Sequence, residues 1–310
     1  MWIGQASRLI VVGMAQNTLP EAPLYETERF QMASPDVQAL AEAMRRDGGA
    51  VLDLGDEARA LCDQAILETD PYFADPGVHR VFDLWRRSPA VRRLAGWPSL
   101  QEKLGVIYGR RPFPFQTLNF RFGSQEPAHA EMIHHNSAPE RFLCTGWIAL
   151  EDVSAEAGPF VYYPGSQNLP PISMRDAGVD RRPRPDDFAR YEARFAELIS
   201  ESNLPRREVI VPKGHAFVWA AGLAHGGSPI TTPGLTRRSM VVHHFFEDCL
   251  YITPRISDVE GGKLYVKFPS DIVSGKRRWP KRDGKRVMPS PRALARAGMD
   301  AVMNRPFVQR

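Results

Sequence analysis

Hydrophobic residues in the first hundred positions recur mainly at the three- and four-residue intervals of amphipathic helices. The clearest run follows Ser34-Pro35 and stops at Asp47-Gly48-Gly49, which predicts a capped helix over about 36–46. The same spacing predicts further helices over about 56–69, 88–95 and 98–105. A short strand is expected over Ala50–Leu54. We therefore expect residues 1–105 to form a helical section that packs on the rest of the protein.

The pattern changes after Val106, where β-branched and aromatic residues come in short runs separated by Gly and Pro. These runs predict strands over Gln116–Phe122, Phe142–Leu150, Phe160–Tyr163, Glu208–Val211, Ala216–Trp219 and Ser239–Phe246. So many short strands favour a mainly β fold with flanking helices, in the form of a sandwich or jelly-roll barrel. We expect this barrel to occupy residues 106–260.

One helical pattern interrupts the predicted barrel, over about 185–203. Phe188, Tyr191, Phe195 and Leu198 follow one another at helical spacing. Such an insertion either shapes a substrate pocket at the barrel rim or is a simple surface excursion.

Composition narrows the class of protein. A content of 43% hydrophobic and 25% charged residues is typical of a globular chain, which excludes a disordered or collagen-like protein. No apolar run approaches the roughly 18 residues of a membrane span. Cys62, Cys144 and Cys249 are odd in number and widely separated, so we expect free thiols and a reducing, cytoplasmic location.

The net charge of +4 comes from the C-terminal region, residues 261–310. This region holds 13 Lys/Arg against 3 Asp/Glu, which leaves 27 basic and 33 acidic residues in the first 260. A basic tail can contact nucleic acid or an acidic membrane surface. The preferred interpretation is a solvated surface or charge pairing within the protein, so nucleic acid is not the expected partner.

The densest group of potential metal ligands is His129-Ala130-Glu131, followed by His134 and His135. In an extended chain, residues two apart point to the same side, so His129 and Glu131 would project together into a barrel interior. His225 lies in a turn-rich stretch after a hydrophobic strand and is the candidate third ligand. Two His and one carboxylate leave metal positions open, as in non-haem Fe(II) oxygenases. The alternative is a polar cluster at a strand end that binds no metal.

Several linked motifs give the chain a resemblance to a known family. In order along the chain they are Leu118–Ser124, His129-Ala130-Glu131, Trp147–Val153, Gly158-Pro159-Phe160, Tyr163–Ser166, Pro212-Lys213-Gly214, Trp219, His225-Gly226-Gly227 and Thr236–Ser239. In this order and spacing, residues of about 105–250 resemble the phytanoyl-CoA dioxygenase-like Fe(II)/2-oxoglutarate oxygenases.

The resemblance implies a double-stranded β-helix, the cupin-like form of a jelly-roll barrel, in which His129, Glu131 and His225 hold Fe(II). It also implies 2-oxoglutarate as co-substrate, O2 as oxidant and a small-molecule substrate. The family more often has Asp where this chain has Glu131, whose side chain is one methylene longer. A carboxylate at this position favours hydroxylation over halogenation, since related halogenases have Ala or Gly there and free a place for chloride.

The co-substrate also needs a cation for its distal carboxylate, a task that suits the planar guanidinium of Arg. Arg237 and Arg238 are both candidates, but adjacent strand residues face opposite ways, so only one enters the pocket. The family's spacing to His243 favours Arg237, with Arg238 in reserve, and Ser239 would add a second contact. Asn119 shares a strand face with Arg121 and is a candidate contact to co-substrate or substrate. His134 either contacts substrate or is structural.

The function predicted from the sequence is therefore an Fe(II)- and 2-oxoglutarate-dependent hydroxylase that releases succinate and CO2. Two alternatives remain. A non-catalytic protein of the same fold would bind a ligand or partner without turnover, and Glu131 motivates this interpretation. A nucleic-acid-modifying oxygenase would be recruited through the basic tail.

Overall fold

The computed structural model describes residues 9–11, 28–181, 183–288 and 308–309. Its α-helices are α1 Glu28–Gln31, α2 Pro35–Asp47, α3 Asp56–Thr69, α4 Pro89–Ala95, α5 Pro98–Tyr108 and α6 Phe188–Ser202. The helices predicted from hydrophobic spacing are confirmed, including the one inserted between strands. α2 ends at Gly48, whose φ of 82° lies in the left-handed region that glycine adopts at low cost.

The strands are mostly short. They are β1 Leu9–Val11, β2 Gly49–Asp53, β3 Arg80–Phe82, β4 Pro112–Phe120, β5 Asn136–Ala138, β6 Leu143–Ala149, β7 Phe160–Tyr162, β8 Arg207–Val209, β9 His215–Ala220, β10 His225–Gly227, β11 Ser239–Phe246, β12 Leu250–Ile252, β13 Lys263–Tyr265, β14 Lys281–Arg282, β15 Lys285–Arg286 and β16 Val308–Gln309. Every predicted strand is present. Those that the pattern misses have only two or three residues, too few to show a period of two.

Seven strands form a large antiparallel sheet in the order β16-β3-β4-β11-β6-β9-β2. Helices α2 to α5 cover one face of it. Their buried residues form one hydrophobic cluster with the strand residues on that face, for example Leu40, Leu61 and Leu104 with Met240 and Val242. Because β2 and β3 come from the N-terminal section, this section contributes strands to the sheet as well as its covering helices.

A second sheet, in the order β10-β7-β8, faces the uncovered side of the large sheet. A smaller cluster that includes Trp147, Phe160, Phe217 and Val241 lies between the two sheets. The fold is thus mainly β with flanking helices, and two antiparallel sheets enclose an interior, as expected for a jelly-roll barrel.

The first part of the basic C-terminal region is built into the folded protein. Ile272 is buried in the cluster between the helices and the large sheet, whereas Leu264 and Val266 are buried in a separate small cluster with Leu250 and Ile252. Arg278 donates hydrogen bonds to Asp271 at 2.6 Å and to Glu247 at 2.9 Å, so part of the positive charge is paired within the protein. Residues 289–307 of the predicted tail lie outside the described residues.

No helix among the described residues is both long and apolar enough to cross a membrane. The thiols of Cys62, Cys144 and Cys249 are all buried and none forms a disulfide, as predicted from their number and spacing.

Candidate metal centre

A cavity of about 390 Å³ opens between the two sheets. Strands of both sheets line it, together with residues from the loop that follows β4. The lining side chains with metal-binding or ionic chemistry include His129, Glu131, His225, Arg237 and His243. The structure therefore brings the three predicted ligands and the favoured arginine into one enclosed space.

His129 and His225 are held side by side by their own backbones. The amide of each donates to the carbonyl of the other, both at 2.9 Å, which adds a short antiparallel bridge next to β10. The Nδ1 atom of each ring lies 2.9 Å from a carbonyl two residues earlier, Pro127 for His129 and Leu223 for His225. These bonds assign the proton to Nδ1 and leave both Nε2 atoms free as ligands, as in many metal-binding histidines.

Glu131 joins the pair from a change of backbone direction. The chain is extended at Ala130 and then turns into a short 3-10 helix, Glu131–Ile133. One ligand atom from each of His129, Glu131 and His225 lies within 4.8 Å of the others, and Oε1 of Glu131 is 3.4 Å from Nε2 of His225. Atoms at these separations can converge on one metal ion, so the two imidazoles and one carboxylate fit Fe(II).

The surroundings favour the protonation states that metal binding needs. Burial, with a smaller contribution from His225, lowers the pKa of His129 and keeps its imidazole neutral. Burial alone would raise the pKa of Glu131, but His243 and His225 hold it well below its usual range. A neutral imidazole and an ionised carboxylate are the ligating forms of these residues.

Aromatic rings fix the position of His225. Phe160 on β7 stacks on its imidazole with ring centroids 5.4 Å apart, and Trp219 on β9 lies 4.8 Å away. Both rings line the cavity, as does Trp147. Both tryptophans belong to the motifs that carry the family resemblance, but the sequence gives no signal that their strand faces border the site.

The two adjacent arginines have opposite environments. Arg238 points outward and forms ion pairs with Asp70 at 3.0 Å and Glu151 at 3.3 Å. Arg237 lines the cavity and is only 2% exposed, with its guanidinium 5.4 Å from the Trp147 ring. Its Nε and Nη1 atoms bond to no described residue.

The charge on Arg237 calls for an anion. Burial lowers the pKa of Arg237 to about 10, so the side chain stays charged at neutral pH. A buried guanidinium without a counter-ion is costly, and a carboxylate can bond its fork with two parallel hydrogen bonds. Glu126, in the same cavity, is near enough to raise the pKa of Arg237 slightly but is ion-paired with Arg80. No described carboxylate forms an ion pair with Arg237, so the site fits an anionic ligand such as 2-oxoglutarate.

The other two residues predicted to contact the co-substrate or substrate, Ser239 and Asn119, lie on different faces of the large sheet. Ser239 lies two residues after Arg237 and pairs with Phe120 and Ala149, and its buried hydroxyl bonds to no described residue. Asn119 pairs with Met240, on the face of β4 opposite the cavity-lining Leu118 and Phe120. The structure therefore does not bring Asn119 to the cavity. Arg121, two residues on, bonds to the Phe73 carbonyl at 3.3 Å instead.

Residues beyond the predicted ligands shape the mouth of the cavity. Phe188 and Glu192 of α6 line it, so the inserted helix is part of the site and not a surface excursion. His134 also lines it, with its ring 5.3 Å from Phe188. Gln116 on β4 and His243 on β11 complete the wall near Glu131. Strand alternation places both side chains on the inward face of their strands, but many other strand residues share that property, so the sequence did not single them out.

Comparison with known structures gives the same fold. SnoK, described as a non-heme alpha ketoglutarate dependent carbocyclase from nogalamycin biosynthesis, superimposes with a TM-score of 0.54 at 20% identity, over 72% of this chain and 88% of SnoK. The epimerase SnoN from the same biosynthesis gives 0.52 at 21%, over 70% and 85%. AviO1 from Streptomyces viridochromogenes Tue57 gives 0.51 at 20%, over 70% and 97%. At these identities the likeness establishes the double-stranded β-helix fold.

Comparison of sequences identifies the family. No curated protein sequence matches the chain. The family model for phytanoyl-CoA dioxygenase (PhyH) matches residues 36–239, which run from α2 to the start of β11 and contain His129, Glu131, His225 and Arg237. This chain therefore belongs to the phytanoyl-CoA dioxygenase (PhyH) family.

Proposed function

We propose that the protein is an Fe(II)- and 2-oxoglutarate-dependent oxygenase that hydroxylates a C–H bond of a small organic molecule. One observation carries the proposal: a two-histidine, one-carboxylate set shares a cavity with Arg237, a buried cation that forms no ion pair with a described carboxylate. Membership of the PhyH family supports it, as does the likeness in fold to SnoN, which has been solved in complex with Fe3+ and alpha ketoglutarate.

Each part of the site has a role in this proposal. His129, Glu131 and His225 would hold Fe(II), and Arg237 with Ser239 would bind the distal carboxylate of 2-oxoglutarate. When bound, the iron supplies the oxidation of substrate by O2, coupled to conversion of 2-oxoglutarate to succinate and CO2. The protein orients the reactants and excludes competing reactions.

The cavity wall also limits the substrate. Phe160, Trp147 and Trp219 provide an apolar lining that keeps water away from the reacting groups. A volume of about 390 Å³ must hold 2-oxoglutarate and the reacting part of the substrate together, which favours a small organic molecule. Buried free thiols fit a reducing compartment, so we also propose a cytoplasmic location.

Glu131 favours hydroxylation over halogenation. The carboxylate is retained and lies within reach of both histidines, which leaves no ligand position vacated for a halide. The neighbours in fold include an enzyme described as a carbocyclase and one described as an epimerase, so the product must be identified directly.

The test is anaerobic titration of the apo-protein with Fe(II) and 2-oxoglutarate. We expect the metal-to-ligand charge-transfer absorption of chelated 2-oxoglutarate in the wild type and its loss in His225→Ala. Arg238→Met is the matched control, because its side chain points away from the cavity, and it should retain the band. Admission of O2 should then give succinate. Folded wild-type protein without the band, or without any succinate, would contradict the proposal and favour a non-catalytic binding protein.

A further inference from the structure

The two carboxylate oxygens of Glu131 face different histidines. Oε1 lies 3.4 Å from Nε2 of His225, whereas Oε2 lies 3.2 Å from Nε2 of His243. His243 belongs to β11 and is 2% exposed. Neither ring nitrogen of His243 forms a well-aligned hydrogen bond with a described residue, and Oε2 of Glu131 is the acceptor within reach of Nε2. The carboxylate therefore spans the space between the His129–His225 pair and the large sheet.

The length of the side chain makes this second contact possible. An aspartate at position 131 would end about one C–C bond, ~1.5 Å, short of the present carboxylate. An aspartate carboxylate could then contact only one of the two histidines. The glutamate reaches both, with one oxygen left on the side of His129 and His225.

A second set of neighbours holds the His243 ring in place. The ring of His135 packs on it with centroids 4.9 Å apart. His135 is itself fixed at both nitrogens, since Nε2 lies 3.1 Å from Oε1 of Gln116 and Nδ1 accepts a hydrogen bond from Nζ of Lys267. Lys267 belongs to the C-terminal region, so this support comes from beyond residues 36–239, which match the family model.

The same residues raise the question of a second metal ion. Ligand atoms of Glu131, His135 and His243 also lie within 4.8 Å of one another. Both nitrogens of His135 are already engaged, however, one with Gln116 and the other with Lys267. A metal ion on His135 would have to break one of these buried hydrogen bonds and leave its partner unsatisfied. The arrangement instead favours a hydrogen bond from His243 to Glu131.

We propose that His243 is a positioning residue that donates a hydrogen bond from Nε2 to Oε2 of Glu131 and so presents Oε1 alone to the metal. This bond allows glutamate to serve as the carboxylate ligand in place of the shorter aspartate. The inference rests on the proposed function for its metal site, and it adds a residue that the metal-ligand set does not contain.

The experiment is titration of the full-length apo-protein with Co(II), followed by calorimetry and by the visible ligand-field spectrum. We expect one Co(II) per chain in the wild type. His243→Phe should weaken Co(II) binding roughly 10- to 100-fold, the range for loss of an outer hydrogen bond to a metal ligand, and should change the spectrum. His243→Gln, which keeps an N–H donor, should recover part of the affinity. His244→Phe is the matched control, since His244 is the next residue on β11 and faces the helices.

A double-mutant cycle separates positioning from general structural damage. Glu131→Asp should itself weaken Co(II) binding, and adding His243→Phe to Glu131→Asp should cost little more, because the shorter side chain no longer reaches His243. Thermal melting and circular dichroism would check that each variant is folded.

Three results would overturn the inference while the proposed function stands. These are unchanged Co(II) affinity in folded His243→Phe, losses that simply add in the double variant, or two Co(II) per wild-type chain falling to one in His243→Phe. Folded wild-type protein that binds no Co(II) would overturn the proposed function and this inference together.

Discussion

The two faces of β11 show how one strand serves two purposes. Met240 and Val242 point toward the helices and are fully buried in the large hydrophobic cluster. Val241 and His243, which alternate with them, point into the cavity. The helix side of β11 packs in this apolar cluster, with His244 as a buried polar exception, whereas the cavity side carries Ser239 and His243 and is preceded by Arg237. Buried side-chain atoms of Arg237 and Ser239 bond to no described residue.

This difference separates stability from function. Buried polar groups without partners reduce stability, so the unbonded guanidinium atoms of Arg237 at the cavity indicate that a ligand or water completes their bonds. Substitutions on the helix side should change the free energy of unfolding and leave ligand binding intact. Substitutions on the cavity side should weaken ligand binding and change the free energy of unfolding little.

The largest effect is expected for Arg237→Met. Removing the buried cation should weaken 2-oxoglutarate binding to the metal-loaded protein by about 3–5 kcal/mol, on the order of 100-fold or more, because it leaves a buried carboxylate unpaired. The free energy of unfolding of the apo-protein should stay equal or rise, since the lost charge is desolvated and forms no ion pair with a described carboxylate. Anaerobic calorimetry and urea unfolding measure the two quantities.

Arg238→Met is the control for this change. The outward ion pairs of Arg238 with Asp70 and Glu151 are partly exposed and should contribute at most about 1 kcal/mol to stability. Its 2-oxoglutarate affinity should equal that of the wild type. Equal losses of 2-oxoglutarate affinity in both variants would contradict the placement of Arg237 in the cavity and of Arg238 outside it.

On the helix side, Met240→Ala should lower the free energy of unfolding by about 3 kcal/mol, because it leaves a cavity in a fully packed cluster. Val241→Ala should cost less, since its methyl groups already border open space. Metal affinity should be unchanged in Met240→Ala, as measured by Co(II) titration. A large fall in that affinity would mean that the two faces are energetically coupled.

A smaller effect concerns acid stability and His244. Burial lowers the pKa of His244 to about 3, well below its value near 6.5 in an unfolded chain. Between these pH values the unfolded chain binds a proton that the folded protein does not, so stability falls as pH falls from 6.5 toward 3. At pH 5 this one group should account for about 2 kcal/mol of the loss.

His244→Phe should remove this share of the pH dependence. Urea unfolding of the apo-protein at pH 7 and pH 5 would measure it. Other buried histidines titrate in the same range, so the comparison is between the slopes of the variant and the wild type. An unchanged slope would indicate that His244 is not buried as a neutral ring.

Much of the architecture could be predicted because it is encoded locally. The spacing of Val37, Leu40, Ala41 and Met44 predicted α2, and all four side chains are buried on one side of that helix. Strands of two or three residues, such as β10, could not be predicted, since only their pairing with other strands identifies them.

The face of a long central strand was harder to predict. Both faces of β4 are covered by other parts of the protein. One hydrophobic cluster includes Phe113 and Phe115 and the other includes Leu118 and Phe120, so apolar residues do not alternate with polar ones and the sequence does not show which face borders the cavity. A bulge where β4 pairs with β11 also shifts the register between His243 and His244. Asn119 was predicted to contact co-substrate or substrate from its place on the strand and the face it shares with Arg121, but it pairs with Met240 on the side away from the cavity.

The sequence by itself determined the helices, the longer strands and the identity of His129, Glu131 and His225 as candidate ligands, because these depend on periodicity and on residue type within short stretches. Tertiary structure decided that Arg237 is buried and unpaired while Arg238 is paired outside. It also decided that His243 and Lys267 lie beside the metal site. These outcomes depend on register and long-range pairing, which bring residues more than a hundred positions apart into contact, and such distances are not encoded in local patterns.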